Sequence, residues 1–295
     1  MREPFRAARS RGARLAPVTM PKSASGVKQT FVPASAGKWS PRLHGFAFSS
    51  SFFADELLAS RVAPAIVITA VFALWARWMK GVSPSGALAG FLVALAIYLG
   101  AGPSGFAVVF GVFLITAIAT RWRHRIKEQY GKTPQPNGRT GWQVMANLFA
   151  AAAVCGTCVV FPRAFYYLMP GAIAALAEAA ADTVSSETGE AIRGRTYMIV
   201  GFRRVDAGPD GGISFAGTLF GAMAAFAVAV LAWITGLLDP RWALISAACG
   251  FGGMLFDSVL GATVERRGVL GNDGVNFVST VFAADLALLL SWLSG

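Results

Sequence analysis

Four polar, glycine-rich motifs sit at the ends of apolar segments of this chain. They read Ala181-Asp182-Thr183-x-x-Ser186-Glu187-x-Gly189, Gly208-x-x-Gly211-Gly212-x-Ser214-x-x-Gly217-Thr218, Asp257-Ser258-x-x-Gly261-Ala262 and Asn272-x-x-x-Asn276. A carboxylate at the centre of a bilayer helix costs about 2.5 to 3.5 kcal/mol on insertion scales, so such residues usually line a functional cavity. Residues four apart share a helix face, which groups the polar side chains into stripes. Arg139, Gln143 and Asn147 form one. Glu178, Asp182 and Ser186 form a second, with Ser185 beside it; Asp257, Gly261 and Glu265 form a third, and Asn272 with Asn276 a fourth. Asn, Gln and Ser can also serve as interhelical glue. Glue does not require formal charge, which singles out Asp182, Glu187 and Asp257 as candidates for chemistry.

Acidic groups beside glycine-rich backbone suit phosphoryl chemistry. Carboxylates and water hold Mg²⁺, which bridges substrate phosphates. A Gly-Gly turn can present its N–H groups as an anion-binding nest, and a following helix N-terminus adds a favourable dipole. Gly211 and Gly212, ahead of a helix expected from about Ile213, have this form. Arg193, Arg195, Arg203 and Arg204 lie just upstream, as phosphate clamps or as contacts for anionic lipid headgroups. Other chemistries lack their residues. Gly131-Lys132-Thr133 has Ile126 where a phosphate-binding P-loop requires glycine. Only His44 and His124 could serve a histidine-based metal site, and Cys155-x-x-Cys158 lies in an apolar stretch where packing is the expected role.

The elements that must position these residues are membrane helices. The chain has 295 residues, 55% hydrophobic and 14% charged, with positive mean hydropathy, a composition of the membrane class. Apolar stretches near 62–79, 85–101, 105–120, 143–161, 167–182, 213–236, 242–262 and 274–293 could cross a bilayer. The second, third and fifth are short and Gly-rich or Pro-flanked, so eight crossings is the best count, with seven or six as alternatives. Runs without alternation select helices, giving an all-α polytopic bundle. The Gly86 to Gly90 and Gly217 to Gly221 spacings fit close helix packing, although chance explains them equally well in a chain with 33 glycines.

The first 60 residues are expected to form a basic, disordered tail, with the membrane domain from 61 onward. Ten Lys or Arg, counting Arg61 just past that boundary, stand against Glu3, Asp55 and Glu56, with many Ser, Ala and Pro. A start codon placed too far upstream, with Met20 as a candidate true start, a transit peptide, and a lipid-facing arm are the three accounts. The segment 121–141 holds Arg121, Arg123, Arg125, Lys127, Lys132 and Arg139 against Glu128. It is expected to face the cytoplasm, or the stroma or matrix in an organelle. Eight crossings then place the turn near Lys80 and the loops 183–212 and 262–273 on the same side. The membrane would be a bacterial inner membrane, or an organelle membrane if the tail is a transit peptide.

From about Lys80 to the C-terminus the chain resembles the integral-membrane family long labelled domain of unknown function 92, whose members include a plastid phytyl-phosphate kinase. The matching residues, in order, are Ser85-Gly86-Ala87-Leu88-Ala89, Arg139-x-x-x-Gln143-Val144-x-x-Asn147, and the four motifs above, the last extended as Asn272-Asp273-x-Val275-Asn276. The resemblance implies a kinase that passes a phosphoryl group from a nucleoside triphosphate, CTP by analogy, to an isoprenyl monophosphate. On that reading Asp182, Glu187 and Asp257 would hold Mg²⁺, and phosphate oxygens would meet Arg193, Arg195, Arg203 or Arg204 and the turn of Gly208, Gly211, Gly212, Ser214 and Thr218. Arg139, Gln143, Asn147, Ser186, Ser258, Asn272 and Asn276 would orient substrate. The expected partners are the bilayer, an isoprenyl phosphate and a nucleotide, with no nucleic acid. Two departures stand out: the approach Val205-Asp206-Ala207-Gly208-Pro209-Asp210, and Glu265 where relatives often carry Gln. The competing class is a cation-coupled transporter or flippase of a phosphorylated lipid, in which the same acids bind the coupling ion.

Overall fold

A computed structural model of the protein describes residues 51–122, 137–192 and 194–294. Residues 1–50, the centre of the basic loop with Arg123, Arg125, Lys127, Glu128 and Lys132, and Arg193 lie outside the described residues. The elements are α1 (Ser51–Trp78), α2 (Pro84–Arg121), α3 (Gly141–Val160), α4 (Phe165–Ile192), β1 (Thr196–Met198), β2 (Arg204–Val205), β3 (Gly212–Ser214), α5 (Phe215–Ile234), α6 (Pro240–Leu260) and α7 (Asn272–Leu293). Among the described residues, seven helices are long and apolar enough to cross a membrane. α1 begins at Ser51, and its candidate membrane span runs over Ser60–Trp78.

The seven helices and the eight expected crossings are reconciled by α2. Its 38 residues would span about 57 Å if straight, yet the Arg121 guanidinium at its far end donates to the Met79 carbonyl just before its start, at 2.6 Å. The chain folds back at Gly102 (φ 68, ψ −165), a backbone region essentially reserved for glycine, and Pro103 follows. The arms 84–101 and 103–121 are the second and third apolar stretches of the sequence. The far end of α2 thereby returns to the segment 79–83, where Arg139 also lies.

α4 is the central helix, packed by α5, α6, α7, α3 and α2. Its run of alanines lets neighbours approach closely, as lipid-embedded helices require in the absence of a hydrophobic drive. A Cβ added at Gly250 would come within 2.6 Å of the Ala177 Cβ, and one at Gly217 within 2.7 Å of the Ser185 carbonyl oxygen. Gly221 meets α4 similarly at Ala181 and Ser185. The Gly217 and Gly221 spacing is thus a true packing motif; in the other pair Gly86 packs tightly against the Arg139 carbonyl, while Gly90 faces open space. Cys155 and Cys158 are buried free thiols in α3, in keeping with packing.

The all-α bundle carries one small addition. The loop after α4 forms a three-stranded antiparallel sheet, order β2-β1-β3, with Tyr197 opposite Arg204 on one side and Ile213 on the other. The helix expected from Ile213 begins at Phe215, because Gly212–Ser214 pairs with β1 first. Ser214 then caps the helix, accepting from the Gly217 N–H at 3.1 Å.

Candidate active site

Two loops are zipped together to start the site. The Arg139 N–H donates to the Gly81 carbonyl at 3.0 Å, and the Ser83 N–H to the Arg139 carbonyl at 2.9 Å. Gly86 and Gly138 (φ 73) permit this, since side chains there would strike the partner backbone. The N-termini of α2 and α3 are therefore neighbours. Each is capped: Ser83 accepts from Gly86, and Thr140 with Gln143 forms a capping box. α7 begins beside them at Asn272 without a side-chain cap. Three positive helix ends thus converge on one region.

That region is a cavity of about 730 Å³. Its polar end is lined by Arg139, Gln143, Asn147, Asp182, Ser186, Glu187, Asn272 and Asn276, together with Thr183, Lys80 and Arg121. Its other end is apolar, between α1 and the two arms of α2, with Phe72, Val93, Val109, Val112 and Phe113. Arg139 reaches across to α4, donating from Nη2 to the Thr183 hydroxyl at 3.2 Å. Burial draws its pKa below the ordinary guanidinium value, while the facing carboxylates of Glu187 and Asp182 act in the opposite sense. An Arg guanidinium keeps its charge under such conditions.

Behind this wall lies a second carboxylate group. Glu178, one turn before Asp182, is 1% exposed, and Gly253 leaves room for its side chain. The Ser279 hydroxyl lies 2.6 Å from Glu178 Oε1 and 3.0 Å from Asp257 Oδ2. With its amide nitrogen turned toward its acceptors, Asn276 donates to Asp257 Oδ2 at 3.2 Å and to the Asn272 carbonyl at 3.3 Å. Glu178 Oε2 has no hydrogen-bond partner. Asp257 thus touches the cavity through Asn276, one hydrogen bond away. It sits in α6 one turn before a π-helical turn, Gly261–Glu265, an irregularity common near functional sites.

The structure therefore brings together eight of the residues singled out in the sequence on one cavity wall, and places Asp257 immediately behind them. It does not bring the loop arginines there. Arg195, Arg203 and Arg204 are exposed on or beside the small sheet, and Arg193 lies outside the described residues. Gly208 is exposed with φ 112, Thr218 is half-buried in α5, and the Ser258 hydroxyl bonds back to the Met254 carbonyl at 3.3 Å. The Gly-Gly turn has a packing reason: Gly211 (φ 76) lies with its α-carbon against Ala262, and the Gly212 N–H already donates to Pro209 at 3.0 Å. Two of the substrate-orienting candidates have local duties as well. The Gln143 side chain accepts from the Thr140 N–H at 2.9 Å, and Asn147 donates to the Gln143 carbonyl at 2.8 Å. Sequence reasoning left out Glu178, Thr183 and Ser279 as site residues. For Glu178 the signal was present, in its stripe with Asp182 and Ser186.

Among the described residues, no three His, Cys, Asp or Glu side chains form a cage for a metal ion. The oxygen donors that line the cavity are the two carboxylates of Asp182 and Glu187 and the four carboxamides of Gln143, Asn147, Asn272 and Asn276. Such hard oxygen donors fit Mg²⁺ in its usual setting, where one or two carboxylates share the ion with substrate phosphates and water.

Residues 67–284 match the family described as integral membrane protein DUF92. The chain belongs to this family. It is 30% identical over 219 residues to protein VTE6, chloroplastic, of Arabidopsis thaliana, a stretch covering 72% of this chain and 66% of that protein. It is 29% identical over 212 residues to the uncharacterized membrane protein sll0875 of Synechocystis, covering 71% of this chain and 82% of the relative. It is also 27% identical over 235 residues to the uncharacterized membrane protein MJ0933 of Methanocaldococcus jannaschii, covering 78% and 94%. No solved structure matches. The chain is thus an integral membrane helical protein of this family, with relatives in a chloroplast, a cyanobacterium and an archaeon.

Proposed function

We propose that the protein is a membrane-embedded kinase that transfers the terminal phosphoryl group of a nucleoside triphosphate, CTP by analogy with the family's plastid phytyl-phosphate kinase, to an isoprenyl monophosphate such as phytyl phosphate. The observation that carries this reading is the two-ended cavity: carboxylates, a half-buried Arg and three helix N-termini at one end, apolar side chains at the other. A lipid phosphate has the same division.

In this reading Arg139, with Lys80 and Arg121 nearer the rim, binds phosphate oxygens, and the uncapped start of α7 adds N–H donors. A phosphate oxygen of the isoprenyl monophosphate attacks the terminal phosphorus of the nucleotide. The bond from that phosphorus to its bridging oxygen breaks, and the nucleoside diphosphate leaves with the electron pair. The acceptor phosphate is already ionised at neutral pH, so the protein supplies position and charge neutralisation rather than a base. Asp182 and Glu187 would hold Mg²⁺, with Asn276 kept in place by Asp257; the ion, when bound, neutralises charge on the nucleotide phosphates. Asn272, Asn276 and Ser186 orient the acceptor.

The group of buried Glu178 and Ser279 with half-buried Asp257 favours a second reading, a cation-coupled transporter or flippase of a phosphorylated lipid. Purified protein given CTP, Mg²⁺ and phytyl or geranylgeranyl phosphate separates the two. Diphosphate product is expected. Substrate-dependent flux across sealed vesicles without product would overturn the kinase and establish the transporter.

A further inference from the structure

A second hollow adjoins the cavity on its apolar side. It is a groove of about 420 Å³ lined, among the described residues, by Val67, Ile68, Val71, Phe72, Trp75, Phe106 and Phe110. Phe72 lines both spaces. Its ring meets Phe106, Phe110 and Phe113 of the second arm of α2 edge-on, with centroids 5.4, 5.7 and 5.3 Å away. On the other side of the groove, Val67 and Val71 are each 61% exposed. In an integral membrane protein such an apolar flank of α1 borders the hydrocarbon of the bilayer. One aromatic side chain therefore separates a cavity with a charged end from a groove that opens toward lipid.

We infer that Phe72 divides the prenyl tail of the substrate between these two spaces, the tail leaving the cavity past its ring into the outer groove, so that Phe72 sets the length of chain the site accepts. This rests on the kinase reading for the identity of the tail. The occupant follows from continuity: a phosphate held at Arg139 directs its chain toward Phe72, and the groove beyond offers only apolar walls. An aromatic ring suits a movable partition, having few rotamers to lose and broad torsional freedom at its terminal bond.

The test has two arms. Wild type, Phe72→Ala and Phe72→Trp are compared on geranyl, farnesyl and phytyl monophosphates. The Ala variant is expected to raise the kcat/KM ratio of the longest to the shortest substrate by about tenfold, and the Trp variant to lower it comparably, in line with what a few methylenes are worth in an apolar pocket. Unchanged ratios in both variants overturn the proposal. In the second arm, wild-type protein is photolabelled with a prenyl phosphate bearing a diazirine at its tail end. Label on residues 67–75 or 106–110 supports the passage, and label confined elsewhere overturns it. The second arm needs no turnover and no variant. If wild type phosphorylates none of the substrates but is labelled in the groove, the kinase reading fails and the passage stands.

Discussion

α4 and α1 are both apolar helices of 28 residues, yet they do opposite work. Of α4's most apolar stretch 72% is buried inside the protein, against 22% for α1. α4 is surrounded by five helices, and its alanines make it thin enough for them all to fit. Along that close ring the surfaces are small and apolar, and the acids of α4 meet polar groups from its neighbours: Glu178 accepts from Ser279 of α7, while Asp182 and Glu187 face Arg139 of the zipped loops. α1 leans chiefly on α2 and presents Val67, Val71, Leu74 and Trp78 outward. The crowded helix carries the carboxylates of the cavity. The peripheral helix carries the exposed apolar groove.

The strongest way to break this contrast is on α4. Asp182→Asn keeps shape and hydrogen bonding but removes a charge at the polar end of the cavity. Turnover in the phosphoryl-transfer assay is expected to fall by about a hundredfold or more, with kcat carrying the loss and insertion unchanged. Wild-type turnover at saturating Mg²⁺, or failure to fold, would make the carboxylate structural. Ala177→Leu attacks the same helix through packing. Ala177 is fully buried against Gly250, so the added isopropyl group has nowhere to go; overpacking of this kind costs about 1 to 3 kcal/mol, read as a lowered Tm in detergent.

Much of this arrangement was legible in the sequence because its signals are local. The stripes 139–143–147, 178–182–186 and 272–276 follow from helical spacing alone, and the structure places all three on one cavity or just behind it. The eight apolar stretches were legible too, including the pair that Gly102 and Pro103 join into one folded helix. What was not legible depends on contacts between distant segments. The turn at Gly211 reads as an anion nest, but its lack of a side chain is required by Ala262, some fifty residues away. The arginines of the 193–204 stretch are near the acids in sequence, and the small sheet turns Arg195, Arg203 and Arg204 outward. Glu178 was underweighted since Ser279, the hydroxyl it shares with Asp257, comes from a helix far along the chain.

Arg139 sharpens the comparison at the point where α4 meets its neighbours. Arg139→Lys keeps the charge but loses the planar fork that reaches Thr183 and would grip a phosphate. A rise of about tenfold in KM for the isoprenyl phosphate, with kcat nearly unchanged, is the expected outcome, the size of one charge-assisted hydrogen bond. A drop in kcat alone would move Arg139 from substrate binding to the transferring phosphoryl group.

The smallest effect belongs to α1. Leu74 is 70% exposed and lies on the same outward side as Val67, Val71 and Trp78. In water, an exposed leucine forfeits hydrophobic gain. In a bilayer, its side chain exchanges contact with lipid tails in the unfolded-in-membrane state for the same contact in the folded one, so removing it changes little. Leu74→Ala is therefore expected to alter stability by no more than about 0.5 kcal/mol and to leave phosphoryl transfer unchanged, both measured in lipid nanodiscs rather than detergent so that the apolar surroundings persist. A loss several times larger would show that this face is covered by protein instead of lipid. α1 would then be a buried helix of a larger assembly, and the contrast with α4 would hold only for the single chain.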